Sequence, residues 1–148
     1  MRQKPGLVFL SNEYIEDLLE SHHTNLADLR IQKENAMLRI KESPSLISEK
    51  YGLQATEDAG EILQAILSND PLYQRQKTRT EIVEAFLDAL TTEEAKLVKM
   101  RYFMRRQWSE VAKEFNLSVS AIKKRRREAL LDKARRFLLT GKISKNGG

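Results

Sequence analysis

Apolar residues recur at spacings of three, four and seven along most of the chain, which is the period of an amphipathic α-helix. The alternation of apolar and polar residues that marks a half-buried strand is not found, and glycine and proline are few. The pattern therefore predicts an all-α fold. The first apolar stripe begins behind an N-cap at Asn12 and continues to about Lys41, which predicts one long amphipathic helix in the N-terminal part. A helix of this length favours pairing with a second helix.

Proline and glycine predict where the next elements end. The sequence ESPS at 42–45 ends the first helix, because proline cannot continue the hydrogen-bond ladder. A short element then runs over residues 46–51 and stops at Gly52. Thr56 is the expected N-cap of the following helix, and SNDP at 68–71 ends that helix.

The polar stretch at 71–79 predicts a domain boundary, with a helical N-terminal region at 1–79 and a C-terminal domain at 80–148. The charge distribution supports a division. Residues 91–148 carry 16 Lys and Arg against 6 Asp and Glu, a net charge of +10. Residues 1–90 carry 10 Lys and Arg against 15 Asp and Glu, a net charge of −5. The basic part is short enough to be a nucleic-acid-binding module, although basic tails without such a function are also common.

Capping sequences predict the helices of the C-terminal domain. Thr78 and Glu81 have the spacing of a capping box and predict one helix start. Thr91 and Glu94 predict a second helix start in the same way. A further short helix is expected over residues 109–115.

The last third of the chain has the order of elements found in a helix-turn-helix. The turn NLS at 116–118 follows the short helix, and Ser118 caps a final helix that ends before Gly141. Ala112 is small where the two helices must approach each other, and Ile122 anchors the second helix. A short helix, a tight turn and a longer basic helix form the skeleton of a helix-turn-helix.

These residues also carry a family resemblance. The run EEAKLVKMRYF at 93–103, followed by SEVAKEFNLSVSAIKKR at 109–125, resembles region 4 of the sigma-70 family. The resemblance implies a helix-turn-helix that binds promoter DNA and a surface that contacts RNA polymerase. The wider layout is similar to the ArpU and RinA class of phage transcription regulators, whose ending is matched here by Ala134 and Phe137. Gln107 departs from the sigma pattern, which has a Ser or Thr cap at this point.

Three side chains near the turn need a specific explanation. Trp108 is expected to pack under the two helices rather than stack on a base. Arg125 and Arg126 stand where the final helix should have an apolar inner face. We expect one of these arginines to lay its stem along the core and extend its charge outward, or to pair with Glu110 or Glu114.

The basic start of the final helix supplies the candidate DNA contacts. At 100° per residue, a helix with Ile122 inward turns the neighbouring lysines outward. The side chains expected to reach base edges in the major groove are Val119, Ser120, Lys123, Lys124 and Arg127. Those expected to contact phosphates are Arg105, Arg106, Lys113, Ser118, Arg125 and Arg126. About six phosphate contacts would make log K fall with log salt at a slope of about −5.

The apolar positions of the final helix change direction beyond Ala129. The later apolar residues, such as Leu131 and Leu138, centre about 120° away from the direction of Ile122. The distal half of the helix is therefore expected to pack either on the N-terminal helices or on a partner subunit. A homodimer would set two recognition helices roughly 34 Å apart.

Other kinds of site find no support in the sequence. There is no cysteine, and His22 and His23 are adjacent, so on a helix they point about 100° apart and do not make a metal pair. No glycine-rich phosphate loop and no nucleophile–base arrangement is found, so we expect neither an enzyme nor a cofactor. No apolar run is long enough for a membrane span or a signal peptide, which favours the cytoplasm. The resemblance to phage regulators implies that this is the cytoplasm of a bacterial host cell.

The leading hypothesis is a sequence-specific DNA-binding transcription regulator that activates phage late genes. Its expected partners are double-stranded DNA and RNA polymerase, and a homodimer stays open. One alternative is a phage DNA-packaging adaptor similar to a terminase small subunit, which also joins a helix-turn-helix to an oligomerising helical part. The other is a helical interaction protein that binds no DNA. A complete sigma factor is disfavoured, because residues 1–90 are acidic and hold no Trp.

Overall fold

The computed structural model describes residues 10–42, 49–52 and 58–140, and in these ranges the chain is helical and has no strand, as the sequence predicts. The helices described over their whole length are α1 (Asn12–Glu20), α2 (His22–Glu42), α3 (Ala59–Ser68), α4 (Pro71–Asp88), α5 (Thr92–Val98), α6 (Trp108–Glu114) and α7. Helix α7 has three successive parts, an α-helical start Val119–Ala121, a π-helical turn Ile122–Arg127 and an α-helical part Glu128–Thr140. A second π-helical segment, Lys99–Phe103, extends α5. No helix within the described ranges is both long and apolar enough to cross a membrane.

The long N-terminal helix predicted from the sequence is two helices. Ser11 rather than Asn12 caps α1, and its Oγ accepts a hydrogen bond of 3.1 Å from the backbone N–H of Tyr14. Helix α1 ends at Glu20; Ser21, with φ −82° and ψ −3°, is its C-cap, and α2 starts at the next residue. The prediction was wrong because the apolar period continues through Ser21, although the stripes of α1 and α2 belong to different cores.

The described residues divide into two compact units. The discontinuous unit contains those up to His22 and those from Ile82 onward, and the central unit is His23–Glu81. The central unit has a core of buried residues from α2, α3 and α4, namely Ala36, Ile40, Ile62, Ile66, Leu67 and Tyr73. The division differs from the one drawn at residue 79 chiefly at the N-terminal end, because α1 belongs with the helices of the C-terminal part.

Helix α4 runs without a break through the predicted boundary at 71–79. Asp70 starts it, since its Oδ1 accepts hydrogen bonds of 3.0 and 3.2 Å from two backbone N–H groups of the first turn. Thr78 therefore lies inside the helix, and its pairing with Glu81 does not mark a helix start. The stretch looks like a linker because it is mostly polar, yet Tyr73 is buried in the core of the central unit.

Two other predicted caps are confirmed and one is displaced. Thr91 and Glu94 form a complete capping box, with hydrogen bonds of 3.2 and 2.9 Å between each side chain and the other residue's backbone N–H. Ser118 caps α7 and accepts a 3.0 Å hydrogen bond from the first turn. Helix α3 is capped by Asp58, whereas Thr56 lies outside the described residues.

The short element predicted before Gly52 is only partly covered by the described residues. Glu49 and Lys50 are helical, and the chain turns at the next two residues. Gly52 takes φ of +70°, a conformation that favours glycine and fits the predicted stop. Helix α2 ends at Glu42, and the rest of the ESPS sequence lies outside the described residues.

The core of the discontinuous unit joins α1 to the helices of the C-terminal part. Its buried residues are Ile15, Leu18, Leu19, Val83, Phe86, Leu97, Val98, Tyr102, Val111, Ala112, Ile122, Leu130, Leu131 and Ala134. Three of them come from α1, and burial of one such aliphatic side chain contributes about 1.5–3 kcal/mol. Helix α1 is therefore an integral part of this unit.

Candidate nucleic-acid interface

Helices α6 and α7 pack against each other across a tight turn. Asn116 takes a left-handed conformation with φ 54°, and the backbone N–H of Leu117 donates a 2.9 Å hydrogen bond to the carbonyl of Ala112. Val111 and Ile122 are fully buried in the same core cluster, as the sequence predicts. The turn is therefore held by hydrogen bonds and by apolar packing, which fixes the start of α7 relative to α6.

Trp108 packs against the core of the discontinuous unit and is only partly buried. The guanidinium of Arg101 lies 4.7 Å from the centre of its ring, a cation–π distance. Arg101 also donates a 2.9 Å hydrogen bond to the carbonyl of Arg106, in the segment that leads into α6. Gln107 precedes α6 and makes no side-chain capping bond. The packing of Trp108 and Arg101 therefore supports the start of α6 where a side-chain cap is missing.

The first three basic residues of the run KKRRR project into solvent. Lys123, Lys124 and Arg125 are exposed, and no carboxylate in the described part of the chain lies within 4.0 Å of their charged groups. Val119, which is 41% exposed, and Ser120 are on the surface as well. Four of the five side chains predicted to reach base edges thus lie on the exposed start of α7.

Arg127, the fifth, does not point outward. Its side chain is 24% exposed, and its Nη2 donates a 2.7 Å hydrogen bond to Oε1 of Glu16 in α1. Its Nε donates a second bond of 3.1 Å to the other carboxylate oxygen. The outward prediction assumed 100° per residue throughout, whereas the turn Ile122–Arg127 is π-helical and brings Arg127 round to the inner side.

Arg126 pairs with an acidic residue that the sequence does not suggest. Its Nη1 lies 3.2 Å from Oε2 of Glu93 in the first turn of α5, and not near Glu110 or Glu114. Both Arg126 and Glu93 are largely exposed, so the pair adds little stability and a DNA phosphate can compete for the arginine. Arg125 and Arg126 are both exposed, and the expected pairing with Glu110 or Glu114 is not observed.

The remaining predicted phosphate contacts lie around α6. Lys113 is exposed and has no carboxylate partner among the described residues. Arg106 is exposed and pairs with Glu110 at 3.2 Å. Arg105 is exposed, takes φ of 55°, and donates a long 3.5 Å hydrogen bond to the carbonyl of Glu20. Ser118 is exposed, but its hydroxyl already serves as the cap of α7.

Glu16 is the centre of a partly buried hydrogen-bond network. Its side chain is 18% exposed and accepts bonds from Arg127 and, at 2.7 Å, from the hydroxyl of the fully buried Tyr102. Partial burial would raise the pKa of Glu16, but the hydrogen bonds from Arg127 and Tyr102 outweigh it and hold that pKa below its ordinary value. The hydrogen bond with Glu16 raises the pKa of Arg127, and burial together with Glu16 raises the pKa of Tyr102. The phenol therefore stays protonated as the donor.

Sequence reasoning missed Glu16 and Tyr102 as parts of this region. Glu16 lies 86 residues from Tyr102 and 111 residues from Arg127, and nothing in the local sequence connects them. The sequence does contain one signal of the π-helical turn, because an uninterrupted α-helix that buries Ile122 would place arginines 125 and 126 on its inner face.

The distal half of α7 is covered by the protein's own helices. Leu130, Leu131 and Ala134 are buried in the same cluster as residues of α1 and of the end of α4. Phe137 packs on Phe86 of α4, with ring centres 5.6 Å apart. Of the two alternatives, packing on the protein's own helices is observed, and this face is not open to a partner subunit.

Within the described residues, no three His, Cys, Asp or Glu side chains are grouped so that they could hold a metal ion. Neither a curated protein nor a solved structure shows significant similarity to the chain. A family model described as a protein of unknown function, DUF722, matches residues 12–133. That match covers α1, both π-helical segments and the exposed start of α7, and it extends over more than half of the sequence, so the chain belongs to the DUF722 family.

Proposed function

We propose that the protein is a sequence-specific DNA-binding transcription regulator whose α7 start enters the major groove. The observation that carries this proposal is the exposed group Lys123, Lys124 and Arg125, which has no carboxylate partner in the described residues. These cations form no ion pair within the described residues. Guanine edges and phosphates accept hydrogen bonds from lysine and arginine and would supply such partners.

The fixed position of the start of α7, which carries these three cations, favours recognition of a DNA sequence over non-specific attraction to DNA. Ile122 is fully buried, and Ser118 caps the first turn of α7. Side chains that start from a fixed helix can meet defined base edges, whereas cations on a flexible tail would contact phosphates in many orientations. Val119 and Ser120 stand at the same helix start and would add contacts to a thymine methyl group or to a base edge.

The biological role proposed here is activation of phage late genes in the bacterial cytoplasm. It rests on the resemblance of residues 93–125 to sigma-70 region 4 and of the whole layout to the ArpU and RinA class. In this role the discontinuous unit binds DNA and the central unit contacts RNA polymerase or a second copy of the chain. Ile31 and Leu38, which are about half exposed and seven residues apart on α2, supply an apolar surface for such a contact.

A phage DNA-packaging adaptor is the second candidate. The same exposed residues of α2 favour it, because a packaging adaptor needs a helical surface for assembly into rings. Sedimentation of the purified protein separates the two roles. A monomer or dimer agrees with the regulator, and rings of eight or more subunits agree with the adaptor.

The salt dependence of duplex binding tests the proposed function. The exposed cations on α6 and α7 are expected to contact roughly four phosphates, so the logarithm of the binding constant should fall with the logarithm of the salt concentration at a slope of about −4. Fluorescence anisotropy of a labelled duplex between about 50 and 200 mM salt measures the slope. Absence of binding at the lowest salt would reject both DNA-binding roles and favour a helical interaction protein.

A further inference from the structure

Both π-helical segments of the discontinuous unit carry a residue that donates a hydrogen bond to the same carboxylate. Tyr102 belongs to the segment Lys99–Phe103, and Arg127 ends the turn Ile122–Arg127. Each reaches Glu16 with a bond of 2.7 Å. Such segments are rare in proteins and often occur at functional sites. Here their common hydrogen-bond partner, Glu16, connects the two segments structurally.

The π-helical turn of α7 decides which side chains face outward. In an uninterrupted α-helix, the third and fourth residues after Ile122 would lie on its inner side, and these are Arg125 and Arg126. The i→i+5 hydrogen bonds of the π turn insert one residue, so that Arg127 takes the inner position. Arg125 and Arg126 are accordingly exposed. The turn thus exchanges two inward arginines for a single one.

The single inward arginine is satisfied by α1. Arg127 meets both oxygens of Glu16, at 2.7 and 3.1 Å, in the bidentate arrangement that gives the strongest side-chain ion pairs. The hydroxyl of Tyr102 donates a further hydrogen bond to one of these two oxygens, Oε2. Without Glu16, Arg127 would keep a single carboxylate partner, that of the neighbouring residue Glu128 at 3.1 Å.

We propose that Glu16 is a positioning residue for DNA recognition, which fixes the π-helical register of α7 and thereby selects the side chains that face the bases. This inference rests on the proposed function. Glu16 is itself mostly buried and paired with Arg127, so it is not one of the side chains proposed to contact DNA. Its loss would let the start of α7 sample other registers, in which Lys123 and Lys124 point elsewhere. Sequence discrimination would then fall, while attraction to phosphates would remain because the number of cations is unchanged.

The test compares the full-length variants Glu16→Gln and Glu13→Gln. Both remove one negative charge from α1, but Glu13 is exposed. Hydrogen–deuterium exchange of the free protein is expected to be about tenfold faster in Glu16→Gln over residues 122–128, and unchanged in Glu13→Gln. The affinity ratio between a selected duplex and a scrambled one is expected to fall about tenfold in Glu16→Gln, with an unchanged salt slope.

A milder variant keeps the test decisive if Glu16→Gln does not fold. Arg127→Lys retains the charge but loses the forked pair of hydrogen bonds, so it should shift exchange and specificity in the same direction by a smaller factor. Exchange that speeds up uniformly over α1, α5 and α7 would overturn the inference, because it would show a merely structural role. Unchanged exchange over 122–128 would overturn it as well.

The two readouts separate this inference from the proposed function. Exchange is measured without DNA and reports how readily the backbone of residues 122–128 opens. If the wild-type protein binds no duplex, the proposed function fails and the role of Glu16 in recognition fails with it, even where exchange shows that Glu16 stabilises this turn of α7. If the wild type discriminates between duplexes and Glu16→Gln discriminates equally well, only the inference about Glu16 fails.

Discussion

Exchange of Lys123 and Lys124 together for glutamate is expected to weaken duplex binding about a thousandfold, or by about 4 kcal/mol. Each lysine is placed to contribute a base or phosphate contact, and each glutamate would also repel the phosphate backbone. Both side chains are exposed and lie outside the core, so the variant should unfold at nearly the wild-type temperature. Fluorescence anisotropy at fixed salt measures the affinity, and a thermal melt checks the fold.

Arg39→Glu with Lys41→Glu is the matched control. These residues are exposed in the last turn of α2, in the central unit, and the two substitutions change the net charge by the same amount. The control is expected to bind the duplex within about threefold of the wild type, because the proposed interface contains no residue of the central unit. An equal loss in both variants would mean that total charge governs binding and that the start of α7 has no special part.

Leu19→Ala is expected to destabilise the discontinuous unit by about 3 kcal/mol. Leu19 is 1% exposed and belongs to the same cluster as Leu131 of α7, so its truncation leaves a cavity between α1 and the rest of the unit. The matched control is Leu139→Ala in α7, since Leu139 is 52% exposed and its truncation should cost less than about 0.5 kcal/mol. Urea unfolding followed by circular dichroism measures both values.

This comparison tests whether α1 belongs to the discontinuous unit, for which DNA binding is proposed. If α1 only lay on the surface of the unit, Leu19→Ala and Leu139→Ala would have similar and small effects. A large effect of Leu19→Ala alone would agree with a core that is complete only when the N-terminal helix is in place.

The parts of the fold that could be predicted from the sequence are those set by neighbouring residues. The capping box at Thr91 and the cap at Ser118 require only residues within one helical turn, and both were located correctly. The inward orientation of Ile122 follows from the apolar period of a short helix in the same way. Such features are determined locally because the hydrogen bonds and contacts that stabilise them span three or four residues.

The parts that could not be predicted depend on contacts between distant segments. The apolar period runs through Ser21 without a change, so the end of α1 is not visible in the sequence. The position of Arg127 depends on Glu16, which lies 111 residues away. The change of apolar direction beyond Ala129 is visible in the sequence, but the pattern alone does not show that one inserted residue of a π turn accounts for it.

Selection from a library of random duplexes at about 150 mM salt tests the central claim of sequence-specific recognition most directly. The full-length protein is mixed with the library, the retained duplexes are sequenced after several rounds, and the best sequence is footprinted. The account predicts one enriched sequence that contains guanine and is protected over a single defined site. Retained duplexes that match the composition of the starting library, or no retention at all, would contradict it.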